Sequence, residues 1–92
     1  MGRVTVRVPG PLQPFAGGAA ELAVEAGTVR DALAGISAGR PGLAQRVLTP
    51  EGALRPYVNV FVNERNCRLL QGLDTPLSGG ETLAIIPAVA GG

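Results

Sequence analysis

The fold can be worked out from one run of seven residues, Tyr57-Val58-Asn59-Val60-Phe61-Val62-Asn63. Every second position is valine, and polar or aromatic side chains occupy the positions between. A period of two is typical of a β-strand, whose successive side chains point to opposite faces of a sheet. We therefore expect a strand that buries its valines on one face and carries Phe61 on the other.

Similar alternation on both sides of this run predicts the rest of the sheet. The other predicted strands cover residues 3–8, 21–25, a short stretch near 67–69, and 82–86. In the last of them Leu83 and Ile85 face the core, and Pro87 ends the strand. The connections, including the proline- and glycine-rich one between the first two strands, are predicted to be loops.

A single main helix is predicted to begin after Thr28. Thr28 suits the N-cap, and Asp31 three residues later resembles a capping box with Asp in place of Glu. The apolar stripe that follows at helical spacing comprises Val29, Ala32, Leu33 and Ile36. Gly35 and Gly39 are expected to weaken this helix, and a short second helix is predicted over residues 41–48.

The order strand, strand, helix, strand, short strand, strand indicates the α+β class. A mixed sheet of four to five strands with one main helix on one face fits the β-grasp, or ubiquitin-like, arrangement. We expect a β-grasp domain over residues 1–87 and a flexible tail over residues 88–92 that ends in Gly-Gly.

Composition excludes several functional classes. The 92 residues are enough for one domain, and a net charge of +1 disfavours a nucleic-acid partner. Histidine is absent and Cys67 is the single cysteine, which excludes histidine-based catalysis, a cysteine zinc cluster and an internal disulfide. No apolar run reaches the roughly 18–20 residues of a membrane span. We expect no signal peptide, because Met1-Gly2-Arg3 leads straight into the alternating valines. We expect a cytoplasmic protein without a membrane partner.

The terminal Gly91-Gly92 pair is the remaining candidate for chemistry. A tip without Cβ atoms can pass through a narrow channel and adopt backbone angles that other residues avoid. The α-carboxylate of Gly92 would then be the reacting group inside another enzyme, after activation to an acyl-adenylate. From the residues alone, an irrelevant frayed terminus remains an equal alternative.

The chain resembles the ThiS/MoaD family of ubiquitin-like sulfur carrier proteins over essentially its full length. The resemblance is carried by residues 4–6, 57–63, 78–81 and 86–92, with the CysO type most similar, whereas residues 70–77 look more like some MoaD proteins. It implies that Gly92 is adenylated with ATP by an E1-like enzyme of the MoeB/ThiF type. A sulfur donor such as a rhodanese or a persulfide would then produce a thiocarboxylate.

The resemblance also implies which partners take the sulfur. The acceptor would be a cysteine synthase, molybdopterin synthase, thiazole synthase or thiosugar synthase. The carrier itself would be a co-substrate rather than an enzyme, and it would bind no cofactor and no metal. Two alternatives remain open: a ubiquitin-like modifier conjugated through Gly92 to target lysines, and a binding module without tail chemistry.

A partner-binding face follows from the strand pattern, because the helix covers one face of the sheet. The residues predicted to contact partners are Phe61, Ile86, Pro87, Ala88, Val89, Ala90 and Gly91. The predicted polar rim consists of Arg3, Arg7, Arg55 and Arg68. The alternative for Phe61 is that its ring folds under a loop.

Overall fold

The computed structural model describes residues 2–87, and five strands in this range form one sheet. The strands are β1 (Gly2–Arg7), β2 (Glu21–Ala26), β3 (Val58–Val62), β4 (Arg65–Asn66) and β5 (Thr82–Pro87). Their order across the sheet is β2-β1-β5-β3-β4. The central strands β1 and β5 are parallel, and the other neighbours are antiparallel. The predicted mixed-sheet β-grasp fold is therefore confirmed.

Two α-helices and three 3₁₀ helices connect the strands. The α-helices are α1 (Val29–Ser37) and α2 (Pro41–Val47), and the 3₁₀ helices are Gly10–Ala16, Cys67–Leu69 and Gly72–Asp74. At the start of α1 the Thr28 hydroxyl accepts a hydrogen bond from the backbone N–H of Asp31 at 3.1 Å. The predicted N-cap is confirmed, and the short second helix is present as α2.

The core lies between the helices and one face of the sheet. The buried stripe of α1 packs on the inward side chains of the three middle strands, Val4, Val6, Val58, Val60, Leu83 and Ile85. Leu43 and Val47 of α2 extend this layer. The helix face and the opposite face of the sheet are therefore those that the period-2 pattern predicts.

The predicted short strand near residues 67–69 is wrong. The chain pairs with β3 two residues earlier, as β4, and residues 67–69 wind into a 3₁₀ helix that buries Cys67. The prediction of a loop between β1 and β2 is also wrong. It contains the 3₁₀ helix Gly10–Ala16, because Leu12 and Ala16 turn inward and join the core.

The predicted tail, residues 88–92, lies outside the described residues, so the division into a domain and a tail stays a prediction. The last described strand ends at Pro87. Within residues 2–87 no helix combines the length and hydrophobicity needed to cross a bilayer.

Candidate functional site

The sheet face opposite α1 and α2, here called the open face, carries the candidate site. Strand register aligns one row of residues across all five strands: Glu21, Arg7, Ala84, Phe61 and Asn66. Phe61 therefore points away from the helices, and its ring is partly exposed. Because β3 and β5 are adjacent, Ile86 lies on the same face, opposite Asn59 of β3.

Apolar side chains beside Phe61 extend the open face toward the β4 edge. Phe61, Leu69 and Leu70 line a groove whose rim is formed by Glu64, Arg65 and Asn66. The Leu69 side chain is 84% exposed, and Ile86 is 47% exposed. We call Phe61, Leu69, Leu70 and Ile86 the open-face patch. The sequence pattern gave no sign that the two leucines belong to this face, because residues 67–69 were predicted to form a strand and Leu70 to follow it.

A hydrogen-bond network connects the segments around this patch. The Asn59 Oδ1 accepts hydrogen bonds from Asn66 Nδ2 at 3.1 Å and from Arg68 Nε at 3.2 Å. The Arg68 Nη2 also donates to the carbonyl oxygens of Val58 at 2.7 Å and Arg55 at 2.8 Å. These bonds join the start of β3 to the segment that carries the two exposed leucines, so the patch is fixed before any partner arrives.

Two of the four predicted rim arginines lie beside the patch. Arg7 borders the same groove as Ile86, with its Nε 4.0 Å from a carboxylate oxygen of Glu21, and Arg68 Nε donates to Asn59. Arg3 is also on the open face, but it lies four residues along β1 from Arg7, at the opposite end of β5 from Ile86. Arg55 was wrongly assigned to the rim. It precedes β3, and its Nε donates to the carbonyl oxygen of Gln45 in α2 at 2.6 Å, which turns the side chain toward the helices.

The carboxyl end of β5 joins the open face to the predicted tail. Ile86 and Pro87 are the last described residues, and a groove of about 690 Å³ next to them is bordered by Arg7, Gln13 and Glu21. A chain leaving β5 starts beside the open-face patch. The predicted contact residues Ala88, Val89, Ala90 and Gly91, and the reacting Gly92, lie outside the described residues.

Cys67 is not placed for chemistry. Its side chain is buried, and burial raises the pKa of the thiol above its usual value. A thiol in that state is a poor nucleophile at neutral pH. No group of three or more Cys, Asp or Glu side chains in the described range is arranged to hold a metal ion.

Comparison with known proteins agrees with the fold. The model of the ThiS family matches residues 6–92. The sulfur carrier protein CysO of Mycobacterium tuberculosis is 34% identical over 91 residues, a match that covers 97% of this chain and 98% of that protein. The small archaeal modifier protein 3 of Haloferax volcanii is 40% identical over 65 residues, covering 71% of this chain and 70% of that protein.

A solved structure is similar over nearly the whole chain. A chain in the crystal structure of the Amycolatopsis orientalis BexX/CysO complex superposes with a TM-score of 0.88 at 34% identity. The superposition covers 97% of this chain and 99% of that one. The family model matches nearly the whole length, and both the sequence and the fold agree with it, so this chain belongs to the ThiS family of ubiquitin-like sulfur carrier proteins.

Proposed function

We propose that this chain carries sulfur as a thiocarboxylate on Gly92, formed by a MoeB/ThiF-type enzyme at the expense of ATP and passed to an acceptor synthase. The observation that carries this proposal is the ThiS family match, which runs through Gly91 and Gly92. The chain acts as a co-substrate in the cytoplasm, where ATP is available, and the chemistry takes place in its partners' active sites.

The proposed chemistry has two steps. A carboxylate oxygen of Gly92 attacks the α-phosphorus of ATP, and pyrophosphate leaves, which gives an acyl-adenylate. A sulfide ion then attacks the acyl carbon and expels AMP, leaving Gly92 with a C(=O)–S⁻ group. The first step is required because a free carboxylate has no adequate leaving group, whereas AMP is a good one.

The open-face patch is proposed as the surface on which the activating enzyme docks. An exposed apolar surface of this kind, rimmed by polar groups, is typical of an interface. Its position at the end of β5 suits this role, since an enzyme seated there has the tail beside its own surface. The Amycolatopsis orientalis BexX/CysO complex shows that a similar carrier assembles with another protein, which supports an acceptor enzyme as the second partner.

The test is to incubate the chain with ATP, sulfide and a MoeB/ThiF-type enzyme and then digest it with trypsin. Arg68 is the last arginine and the chain has no lysine, so one peptide, residues 69–92, carries Gly92. Cys67 falls in a separate peptide, residues 66–68. We expect the mass of the 69–92 peptide to rise by the difference between sulfur and oxygen, and only when ATP is present.

Two results would contradict the carrier proposal. One is an ATP-independent mass change, and the other is a sulfur adduct confined to the peptide that contains Cys67. A Cys67→Ala variant is the matched control, and it should gain sulfur as the native chain does.

A protein modifier is the second candidate function, and the similarity to small archaeal modifier protein 3 favours it. Both functions begin with adenylation of Gly92, so the product distinguishes them. A modifier would form isopeptide conjugates with lysines of other proteins. Tryptic digests of a cell extract would then contain target lysines joined to the 69–92 peptide, whereas a carrier would yield the free thiocarboxylate.

A further inference from the structure

The two edges of the sheet are finished differently. On the β3 side, the short strand β4 forms the edge of the sheet. Beside it, the Arg68 guanidinium donates a hydrogen bond to the carbonyl oxygen of Val58. On the other side the sheet ends with β2, and no strand in the described part of the chain pairs with its outer edge. An unpaired strand edge is a template on which another extended chain can add.

The hydrogen-bond register shows which groups of β2 are available. The N–H of Val8 donates to the carbonyl oxygen of Ala20 at 2.8 Å, so in the antiparallel pair the even-numbered residues of β2 bond with β1. The odd-numbered residues Glu21, Ala23 and Glu25 therefore point their N–H and C=O groups outward. A strand added there would find three residues whose backbone donors and acceptors have no hydrogen-bond partner within residues 2–87.

The side chains of β2 differ between the two faces of the sheet: those on the open face are acidic or small, and those on the helix side are apolar. Glu21, Ala23 and Glu25 are exposed and share the open face, whereas Leu22 and Val24 are half-buried on the helix side. An added strand would meet two carboxylates four residues apart with a methyl group between them. Arg3 and Arg7 lie one strand further in, opposite Glu25 and Glu21. They are about 10 Å from an added strand, which exceeds the Debye length at physiological salt, so their repulsion of basic side chains on that strand is largely screened.

This charge pattern argues against a second copy as the occupant. Two β2 strands paired antiparallel about Ala23 would place Glu21 of one copy directly opposite Glu25 of the other, twice over. Like charges directly opposite each other destabilise a strand pair. A partner strand with basic side chains at those positions would instead gain two favourable pairs.

We propose that the outer edge of β2 binds an extended segment of a partner protein as a sixth strand, and that this segment carries basic side chains four residues apart, opposite Glu21 and Glu25. A small residue lies between them, and apolar side chains at the alternate positions rest beside Leu22 and Val24. The proposal depends on β2 alone and is independent of the tail chemistry.

The probe is the capped peptide Thr-Lys-Val-Thr-Val-Lys-Thr, added to the full chain labelled for amide NMR. We expect hydrogen exchange to slow at the outward amides of Glu21, Ala23 and Glu25, while the amides of Leu22 and Val24, already bonded to β1, change little. A peptide with Glu in place of both Lys should leave all five amides unchanged. Equal protection by both peptides, or none by either, would overturn the proposal.

Two variants separate the charge from the backbone contribution. The double variant Glu21→Gln/Glu25→Gln should weaken peptide binding roughly three- to tenfold, since two exposed ion pairs are lost. Glu51→Gln/Glu64→Gln, with the same change in net charge elsewhere, should not. Ala23→Pro removes an outward N–H without touching the β1 ladder, and it should abolish protection.

If Ala23→Pro fails to fold, the glutamine pair and its control still decide the proposal, because equal weakening by both glutamine pairs would refute it. Native chain that associates with itself through β2 at the same concentration would show that the occupant is a second copy, and the proposal would be wrong.

Discussion

At the scale of single residues, Glu81 stabilises the turn that leads into β5. Its two carboxylate oxygens accept hydrogen bonds from the backbone N–H groups of Ser78 at 2.8 Å and Gly79 at 2.7 Å. These bonds hold the pKa of Glu81 below its usual value. The turn they fix lies against the start of β1, where an added Cβ on Gly2 would come within 2.5 Å of Gly79 Cα.

The lowered pKa makes the contribution of Glu81 depend on pH. The ionised form stabilises the fold above the pKa of the unfolded chain, and this stabilisation is lost as the pH falls through the lower pKa of the folded chain. We expect Glu81→Gln to lower the free energy of unfolding by less than about 1 kcal/mol at pH 7, because these hydrogen bonds are exposed and solvent screens the charge. The difference from the native chain should shrink toward zero in acid, as measured by urea unfolding at a series of pH values. Glu51→Gln serves as the exposed control, and an equal pH-dependent loss there would contradict the assignment.

A second residue-scale prediction concerns the tip of the tail. Gly91→Val adds a β-branched side chain where the proposed chemistry requires passage through a narrow channel, and it should sharply reduce pyrophosphate release by the activating enzyme. Removal of Gly92 should abolish that release, and Ala90→Gly, which adds no bulk, should retain it. Melting temperatures of all three variants control for folding. An unchanged rate in Gly91→Val would mean that the channel is wider than proposed.

At the scale of elements, the packing of α1 across β2 depends on Gly35. A Cβ built at this position lies 2.3 Å from the Val24 Cγ2, far inside the 3.5–4.0 Å at which carbon atoms pack well. Alanine is favoured over glycine by about 1 kcal/mol inside a helix, but overpacking costs about 1–3 kcal/mol. The side chain of Val24 is β-branched and has little freedom to move aside.

We therefore expect Gly35→Ala to destabilise the fold by up to about 2 kcal/mol, although alanine has a higher helix propensity than glycine. Chemical denaturation of the variant is the measurement. Val24→Ala removes the conflicting methyl group, so the double variant should be more stable than the sum of the single effects. Stabilisation by Gly35→Ala alone would show that the helix shifts at no cost.

The four longer strands and the main helix could be predicted from sequence because each has a regular period, whereas the two-residue strand β4 is too short to show one. Alternation placed Phe61 and Ile86 on one face, and the Thr28 cap located the start of α1. The 3₁₀ helices could not be predicted, since short turns rich in Pro and Gly have the same composition as loops. Leu69 and Leu70 reach Phe61 only through the chain reversal after β3, where Asn63 adopts a φ of 56°, and tertiary contacts of this kind leave no periodic signal.

At the scale of the whole molecule, the two faces of the sheet have separate roles. The helix-covered face buries the aliphatic side chains that stabilise the fold, and the open face keeps Phe61, Leu69, Leu70 and Ile86 accessible. This separation suits a carrier that is proposed to bind at least two enzymes, because the recognition surface is not part of the core. Two phenylalanines, one on each side of the sheet, allow the separation to be tested.

Phe61→Ala removes the central aromatic ring of the open-face patch, and we expect it to weaken binding to the activating enzyme roughly tenfold or more. Because the ring contributes little to the core, the free energy of unfolding should fall by less than about 1 kcal/mol.

Phe15→Ala is the matched control: that ring packs against the core on the helix side, with the Arg46 guanidinium 3.6 Å from its centre. Its loss should cost about 1–3 kcal/mol of stability and leave binding unchanged. Calorimetric titration and urea unfolding of both variants measure the two quantities. If Phe61→Ala unfolds the chain but binds normally when folded, the ring belongs to the core and the docking surface lies elsewhere.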